Sequence, residues 1–332
     1  MPPASGKFLI SGASGMLGSA IRRELAASEL EIVRLVRSAR TSVGPHGEVR
    51  PSTPAPPVFR SVAVSLSGEI SWNPAATPTV AYPELLEGFT AAIHLAGANL
   101  AAHRWTAAYK REIASSRVDS TRALATTLAA LRNPPPTLLI ASATGIYGDR
   151  GAEMLDESSS PGSGFLADLC HQWEAAAQPA VDAGIRVVHL RFGVALGPKT
   201  TPGALARMVP IFRLGLGGRL GSGRQWMSWI SLPDLVSAVL FLLDRPTLAG
   251  PVNLTAPNPV SNAQFTHALA RELHRPALLP VPAAGLRLIF GEMADEALLA
   301  SARAFPSKLS ASGFQFAHPT IDLALAAVLA KR

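Results

Sequence analysis

Apolar residues recur along this chain in two alternating rhythms. Short continuous runs of four to seven residues are followed by longer stretches with helical spacing. Lys7–Ser11 is such a run, closed by Gly12, and reads as a buried parallel strand. Residues 15–27 read as a helix. Glu31–Val36 reads as a second strand that stops at Arg37. Residues 38–68 keep neither rhythm. The string GPHGEVRPSTPAPPV is rich in Pro, Gly and Ser and predicts an irregular surface excursion. The pattern then resumes, with strands at Ala91–Leu95, Thr137–Ser142 and Ile185–Leu190. Long helices are expected at Thr106–Leu131 and Phe165–Ala183. Strands alternating with helices predict an α/β fold, a doubly wound parallel sheet of Rossmann type with right-handed crossovers. Beyond about residue 193 the alternation loosens into glycine- and arginine-rich turns, shorter helices and one strand at Val252–Thr255. The expected division is therefore a nucleotide-binding domain, 1–192, carrying the insertion 38–68. A smaller C-terminal lobe, 193–332, follows, with some of its segments returning to the sheet.

Composition narrows this picture only a little. The 332 residues are 48% hydrophobic and 16% charged, enough apolar matter for a large core and too little charge for a disordered chain. Thirty basic against 23 acidic side chains leave a net charge of +7. The arginines are scattered, so no nucleic-acid partner is expected, and a mild excess of positive charge suits phosphate-bearing ligands. A single cysteine, Cys170, excludes an internal disulfide framework and a cysteine zinc site; no metal is expected. The N-terminal residues contain no long apolar segment before the first strand, and the apolar run Leu235–Leu243 is too short to span a bilayer. No membrane association and a cytoplasmic location are the expectations that follow.

Chemistry first appears where the first strand meets the first helix, in Gly12-Ala-Ser-Gly-Met-Leu-Gly18. Gly12 permits a tight turn, Gly15 a close approach of backbone amides to a diphosphate, and Gly18 close packing of helix on strand. Ser14, Met16 and Leu17 complete the turn whose N–H groups would meet the phosphates. A glycine triplet is weak alone, but here a strand precedes it and a helix follows. The second strand ends without the acid that usually binds ribose hydroxyls. It ends on Arg37, with Arg34 and Arg40 close by, and a guanidinium suits a 2′-phosphate. NADP(H) is therefore expected in preference to NAD(H). In His94-Leu-Ala-Gly97 the small residues Ala96 and Gly97 would let the cofactor lie against the backbone, while His94 reads as a core histidine.

The segments GASGMLG, HLAG, SATGIYG and LRFGVALGP together resemble the extended short-chain dehydrogenases/reductases, in their epimerase/dehydratase branch. RWTAAYKREIASSRVDSTRAL, FLADLCHQWEAAA and RLGLGGRLGSGRQWMSWI resemble more narrowly the atypical "epimerase family protein" group, which carries a C-terminal domain of unknown function. The resemblance runs from the first strand nearly to the end of the chain. It implies a substrate-positioning hydroxyl at the end of the fifth strand, which Ser142 or Thr144 fits. It also implies a Tyr-x-x-x-Lys pair, in which the lysine lowers the phenol's pKa from its free value near 10. Aligned on Glu174, that pair falls on Leu166 and Cys170. Leucine has no proton to give, and cysteine carries no fixed positive charge. Tyr147 is the best remaining phenol, so Ser142 and Tyr147 are the catalytic candidates.

The resemblance places the substrate against Arg213–Ile230. Arg219, Arg224 and Trp229, with Arg104 and Trp105, would suit a stacked, negatively charged, phosphorylated or nucleotide-linked small molecule. An equally weighted alternative is a glycine-rich hairpin that only covers the cofactor. Arg191 reads as a support for the site or as a buried structural arginine. By analogy with the family, pairing into a homodimer would use the helices near 106–131 and 165–183. Two functions follow. One is an NADP(H)-dependent oxidoreductase or epimerase-like enzyme for an unidentified small molecule, working without the usual pair. The alternative is a catalytically silent NADP(H)-binding sensor or assembly partner.

Overall fold

The computed structural model describes residues 6–28, 30–37 and 68–330; the predicted excursion, except Gly68, lies outside them, as does Arg40. Seven parallel strands form the main sheet: β1 (Lys7–Ser11), β2 (Glu31–Arg37), β3 (Glu69–Trp72), β4 (Ala91–His94), β5 (Thr137–Ala143), β6 (Arg186–Phe192) and β7 (Gly250–Leu254). Their order is β7-β6-β5-β4-β1-β2-β3. From β1 the chain winds outward through β2 and β3, then crosses back to β4 and winds the other way. The crevice between β1 and β4, at the carboxyl ends of the strands, is where a doubly wound sheet accepts a ligand.

Alternation within β1 explains the layering. Phe8 and Ile10 face one layer, with Ile21 and Leu25 of α1 (Met16–Ala27). Leu9 faces the other, with Val33, Leu138 and Ile140. Both faces are buried, which is why these strands read as unbroken apolar runs. The long helix expected at 106–131 is two helices, α2 (Ala107–Ser115) and α3 (Val118–Ala129). The break is held by polar contacts. The Ser116 hydroxyl accepts from the Ala98 N–H, and Arg117 donates to the Ala98 and Ile113 carbonyls. Likewise the stretch 165–183 divides into α4 (Phe165–Ala175) and α5 (Gln178–Asp182).

The C-terminal part is interleaved with the sheet. The strand expected at Val252–Thr255 is β7, which pairs with β6 at the edge of the main sheet. A buried cluster of Leu205, Val209, Phe212, Trp229, Phe265, Leu269 and Leu325 forms the core of the remainder. These side chains come chiefly from α6 (Ala204–Arg213) and α8 (Asn262–Glu272), with α7 (Leu232–Leu243) between those helices in the chain. Among the described residues no helix is long and apolar enough to cross a membrane.

Candidate functional site

Two cavities, of about 900 and 570 Å³, open at the carboxyl ends of β1, β4 and β5 and share Gly12. Gly12 has φ +70°, a left-handed conformation that glycine adopts at least cost, and a Cβ there would lie 2.7 Å from the Leu95 carbonyl carbon. At Gly18 a Cβ would lie 2.3 Å from the Gly12 oxygen, so the start of α1 can pack on the strand only without one. Gly15 has no such neighbour closer than 3.4 Å, and both Ser14 and Gly15 are exposed. The N-terminus of α1 has neither a side-chain cap nor an acid in its first turn. Uncapped amides on an exposed helix start fit a diphosphate.

The larger cavity runs from Gly12 and Ser14 along the end of β2, past Arg34 and Arg37, and returns along Ala96 and Gly97. Arg34 is paired with Glu69 across the β2–β3 ladder, so Arg37 is the guanidinium at that end without a carboxylate partner among the described residues. His94 beneath is fully buried. Its Nδ1 lies 2.6 Å from the Ser11 hydroxyl and its Nε2 3.2 Å from that of Ser120. Burial, with the charge of Arg37 as a smaller cause, pushes its pKa down to about 3, so the ring is neutral and ties β4 to β1 and α3. That is a core histidine.

The smaller cavity is lined by Gly15, Met16 and Leu17 at one end and by Ser142, Thr144, Leu166 and Cys170 deeper in. Ser142 does reach it, but its hydroxyl donates to Glu174 Oε1 at 2.7 Å. Arg191 grips the same carboxylate through Nε at 2.8 Å and a terminal nitrogen at 2.9 Å. Burial alone would raise the Glu174 pKa. The Arg191 hydrogen bonds and charge, aided by Ser142, outweigh it and hold the carboxyl below its ordinary range.

Tyr147 is placed differently from the expectation. It is 0% exposed and does not line the cavity. Its hydroxyl sits 2.8 Å from both the Asn253 side-chain oxygen and the Asp156 carbonyl, and accepts from Arg191 at 3.1 Å. Burial drives its pKa up, against the opposing pull of Arg191. This phenol joins the ends of β5, β6 and β7 and is shut off from the cleft. Cys170 is equally inert. Burial first, and the nearby Glu174 second, push its thiol up to about 12, with Arg117 only partly opposing. Asp168 and His171 face outward, as expected of the wet side of α4.

The five side chains expected to hold a substrate are not in the cavity wall. Trp229 is fully buried in the lobe core, its indole N–H on the Asn258 carbonyl. Trp105 packs edge-on to Phe165 and donates to the Leu100 carbonyl. Arg104 reaches the Leu288 carbonyl, and Arg219 the Gly221 and Ser222 carbonyls. Arg224 is exposed. Indoles large enough to stack on a ligand are also the best material for a core, and here the core took them. Their neighbours Leu220, Gln225, Trp226 and Met227 line the wall instead.

Two charged residues in that wall were not anticipated. Arg117 comes in from the break between α2 and α3 and packs over the Trp173 ring at 5.2 Å. Helical spacing gives no signal for it, since Ser120 and Thr121 share its stripe. Glu296 lies in a single π-helical stretch, Ala294–Leu299, and accepts from the Leu166 N–H at 3.1 Å. It therefore stands at the start of α4, beside Leu166, where the resemblance implies a tyrosine. Gly164 makes this approach feasible: its φ is +105°, and a Cβ there would lie 2.4 Å from Glu296 Oε1. Nothing local to residue 296 signals this role, although π-helical turns often mark functional sites.

With this geometry in view, the family is clear from similarity as well. Residues 8–254 match the NAD dependent epimerase/dehydratase family, and residues 281–328 match a domain of unknown function. The chain belongs to the NAD dependent epimerase/dehydratase family. It is 42% identical to the epimerase family protein Mb2239 of Mycobacterium bovis, covering 97% of each chain. It is 33% identical to the epimerase family protein SAR0825 of Staphylococcus aureus, over 98% of this chain and 99% of that one. Among solved structures, a human epimerase family protein, SDR39U1, determined with NADPH, superposes with a TM-score of 0.81 at 28% identity, covering 97% of this chain and 98% of that one. A UDP-glucose 4-epimerase from Thermus thermophilus, at 18% identity, shares the fold with a TM-score of 0.67, over 96% of this chain and 97% of that one. The family assignment gives the sheet and glycine turn their context. The domain of unknown function is the part that brings Glu296 to the wall.

Proposed function

We propose that this chain binds NADP(H) along the two adjacent cavities and acts as an oxidoreductase or epimerase-like enzyme on a small molecule. The observation that carries the reading is the pair of adjacent cavities that share Gly12, one lined by Arg37 and the other by the uncapped start of α1 and Ser142. A nicotinamide dinucleotide, where bound, supplies the redox chemistry. The chain's own part is to hold and orient. The first turn of α1 grips the diphosphate, Arg37 meets a 2′-phosphate, and Ala96 and Gly97 leave room for the sugar. The human relative solved with NADPH supports that choice over NADH. At the far end Ser142, fixed by Glu174, orients the reacting group. Glu296 is the carboxylate placed to accept or return a proton, because Leu166, Cys170 and Tyr147 are each unfit for it.

Fluorescence titration tests the cofactor half. NADPH is expected to bind more tightly than NADH, and Arg37→Ala to abolish most of that difference; equal affinities in the wild type would defeat it. NADPH oxidation across a panel of aldehydes and ketones tests the chemistry, with Glu296→Gln expected to suppress turnover. The same burial of Tyr147 and Cys170 favours a second reading, a cofactor-binding sensor without turnover. Tight NADPH binding with no oxidation by any compound would select it.

A further inference from the structure

One face of the C-terminal part has a composition the proposed chemistry does not use. Ile211, Leu214 and Leu216 lie at and just beyond the end of α6, and Leu278 and Leu279 lie after α8. All five are at least half exposed, Leu278 at 84%. The two segments run together. The Val281 N–H donates to the Arg219 carbonyl, the Gly221 N–H to the Val281 carbonyl, and the Arg275 guanidinium to the Arg213 carbonyl. A Cβ at Gly218 would lie 1.6 Å from the Leu279 oxygen, so the backbones touch. The five apolar side chains therefore stand on two adjoining stretches of chain.

The charge on those segments is of one sign. From Ala204 to Arg224 there are four arginines and no Asp or Glu; from Leu273 to Gly291 there are two arginines and again no acid. Arg287 is paired with Asp295. Arg207, Arg213, Arg219, Arg224 and Arg275 have no carboxylate partner among the described residues. Leucines that water does not favour, set among guanidinium groups with no carboxylate partner among the described residues, complement a surface that is apolar beneath and negative on top. An acidic protein would satisfy the arginines but leave Leu278 and Leu214 to find a matching groove. A lipid interface accepts both without one.

The geometry points to this face as a docking surface for an anionic lipid bilayer, with the leucines entering the headgroup region and the arginines meeting the phosphates. The same segments supply Ala204, Met208 and Leu220 to the wall of the smaller cavity, so docking would bring that wall to the lipid surface. Peripheral docking of this kind needs no spanning helix, and it departs from the expectation of no membrane association drawn from the sequence. It stands apart from the proposed chemistry and is tested without a substrate.

The experiment is co-sedimentation of the full chain with vesicles of equimolar phosphatidylglycerol and phosphatidylcholine, against vesicles of phosphatidylcholine alone. Binding is expected to the mixed vesicles, to weaken in the neutral ones and to fall as salt is raised. Arg213→Gln and Arg275→Gln should each weaken it about five-fold. The double variant Leu214→Ser/Leu279→Ser should weaken it about ten-fold or more. All four side chains are exposed, and an unchanged melting temperature would verify folding. Absence of binding to the mixed vesicles would overturn the proposal, as would equal binding to both vesicle types or variants that bind like wild type. So would a concentration-dependent dimer in light scattering that the double leucine variant abolishes while vesicles fail to bind, which would assign the face to a second copy of the chain.

Discussion

The two ends of the cleft are made of different material. The glycine end is shaped by main chain: a Cβ added at Gly12 or Gly18 would fall within 3 Å of neighbouring backbone, and the amides of α1 are left open. The Ser142 end is shaped by side chains drawn from distant segments. Ser142, Glu174, Arg191, Tyr147 and Asn253 form one buried hydrogen-bonded chain. A backbone site is specified by a short stretch of sequence and fails when atoms are added. A network site depends on the whole fold and fails when a partner is removed.

Removing a partner should do the most damage. Arg191→Met leaves the Glu174 carboxylate buried without its cation and should cost about 3–5 kcal/mol in urea unfolding. A loss below about 1 kcal/mol would mean that the network is looser than its distances imply. Adding an atom comes next. Gly18→Ala must displace backbone and should cost about 2–3 kcal/mol, with NADPH affinity lost as well. Retained affinity would break the contrast, because the glycine end would then tolerate what its geometry forbids.

A pH series sharpens the comparison further. His94 underlies the glycine end and is neutral in the fold, its pKa pushed down to about 3 by burial. An unfolded histidine takes up a proton near pH 6.5, so between about 6.5 and 3 the unfolded state binds more protons. Stability should therefore fall on acidification through that window, by at most about 1.4 kcal/mol per pH unit. Glu174, held low by Arg191, adds to the loss only nearer pH 4. His94→Gln should flatten the upper part of the profile, and an unaltered slope would reassign the effect. Smallest is Tyr147→Phe, which should cost about 1–2 kcal/mol while leaving NADPH affinity intact. Loss of affinity would return the phenol to the cleft.

The legible parts of the chain were those governed by short-range rules. Lys7–Ser11, the glycine turn and the alternation through β6 could be read because each signal lies within one element. The Thr106–Leu131 helix was read through its break, since the contacts of Arg117 with the 98 loop leave no trace in helical spacing. The expectation of Tyr147 at the cleft rests on its being the remaining phenol, and that of Trp229 on a resemblance of its segment; both are fully buried. Glu296 was not anticipated at all.

The sequence by itself determined a doubly wound sheet, a glycine turn at its switch point, and an arginine where NAD binders keep an acid. Only the tertiary structure decided what faces the cleft. Tyr147 meets Asn253 across 106 residues of chain, and Glu296 meets Leu166 across 130. Periodicity and turn chemistry are properties of neighbours in sequence. The aim of a side chain is set by whichever segment packs against it, and those segments come together only when the core closes.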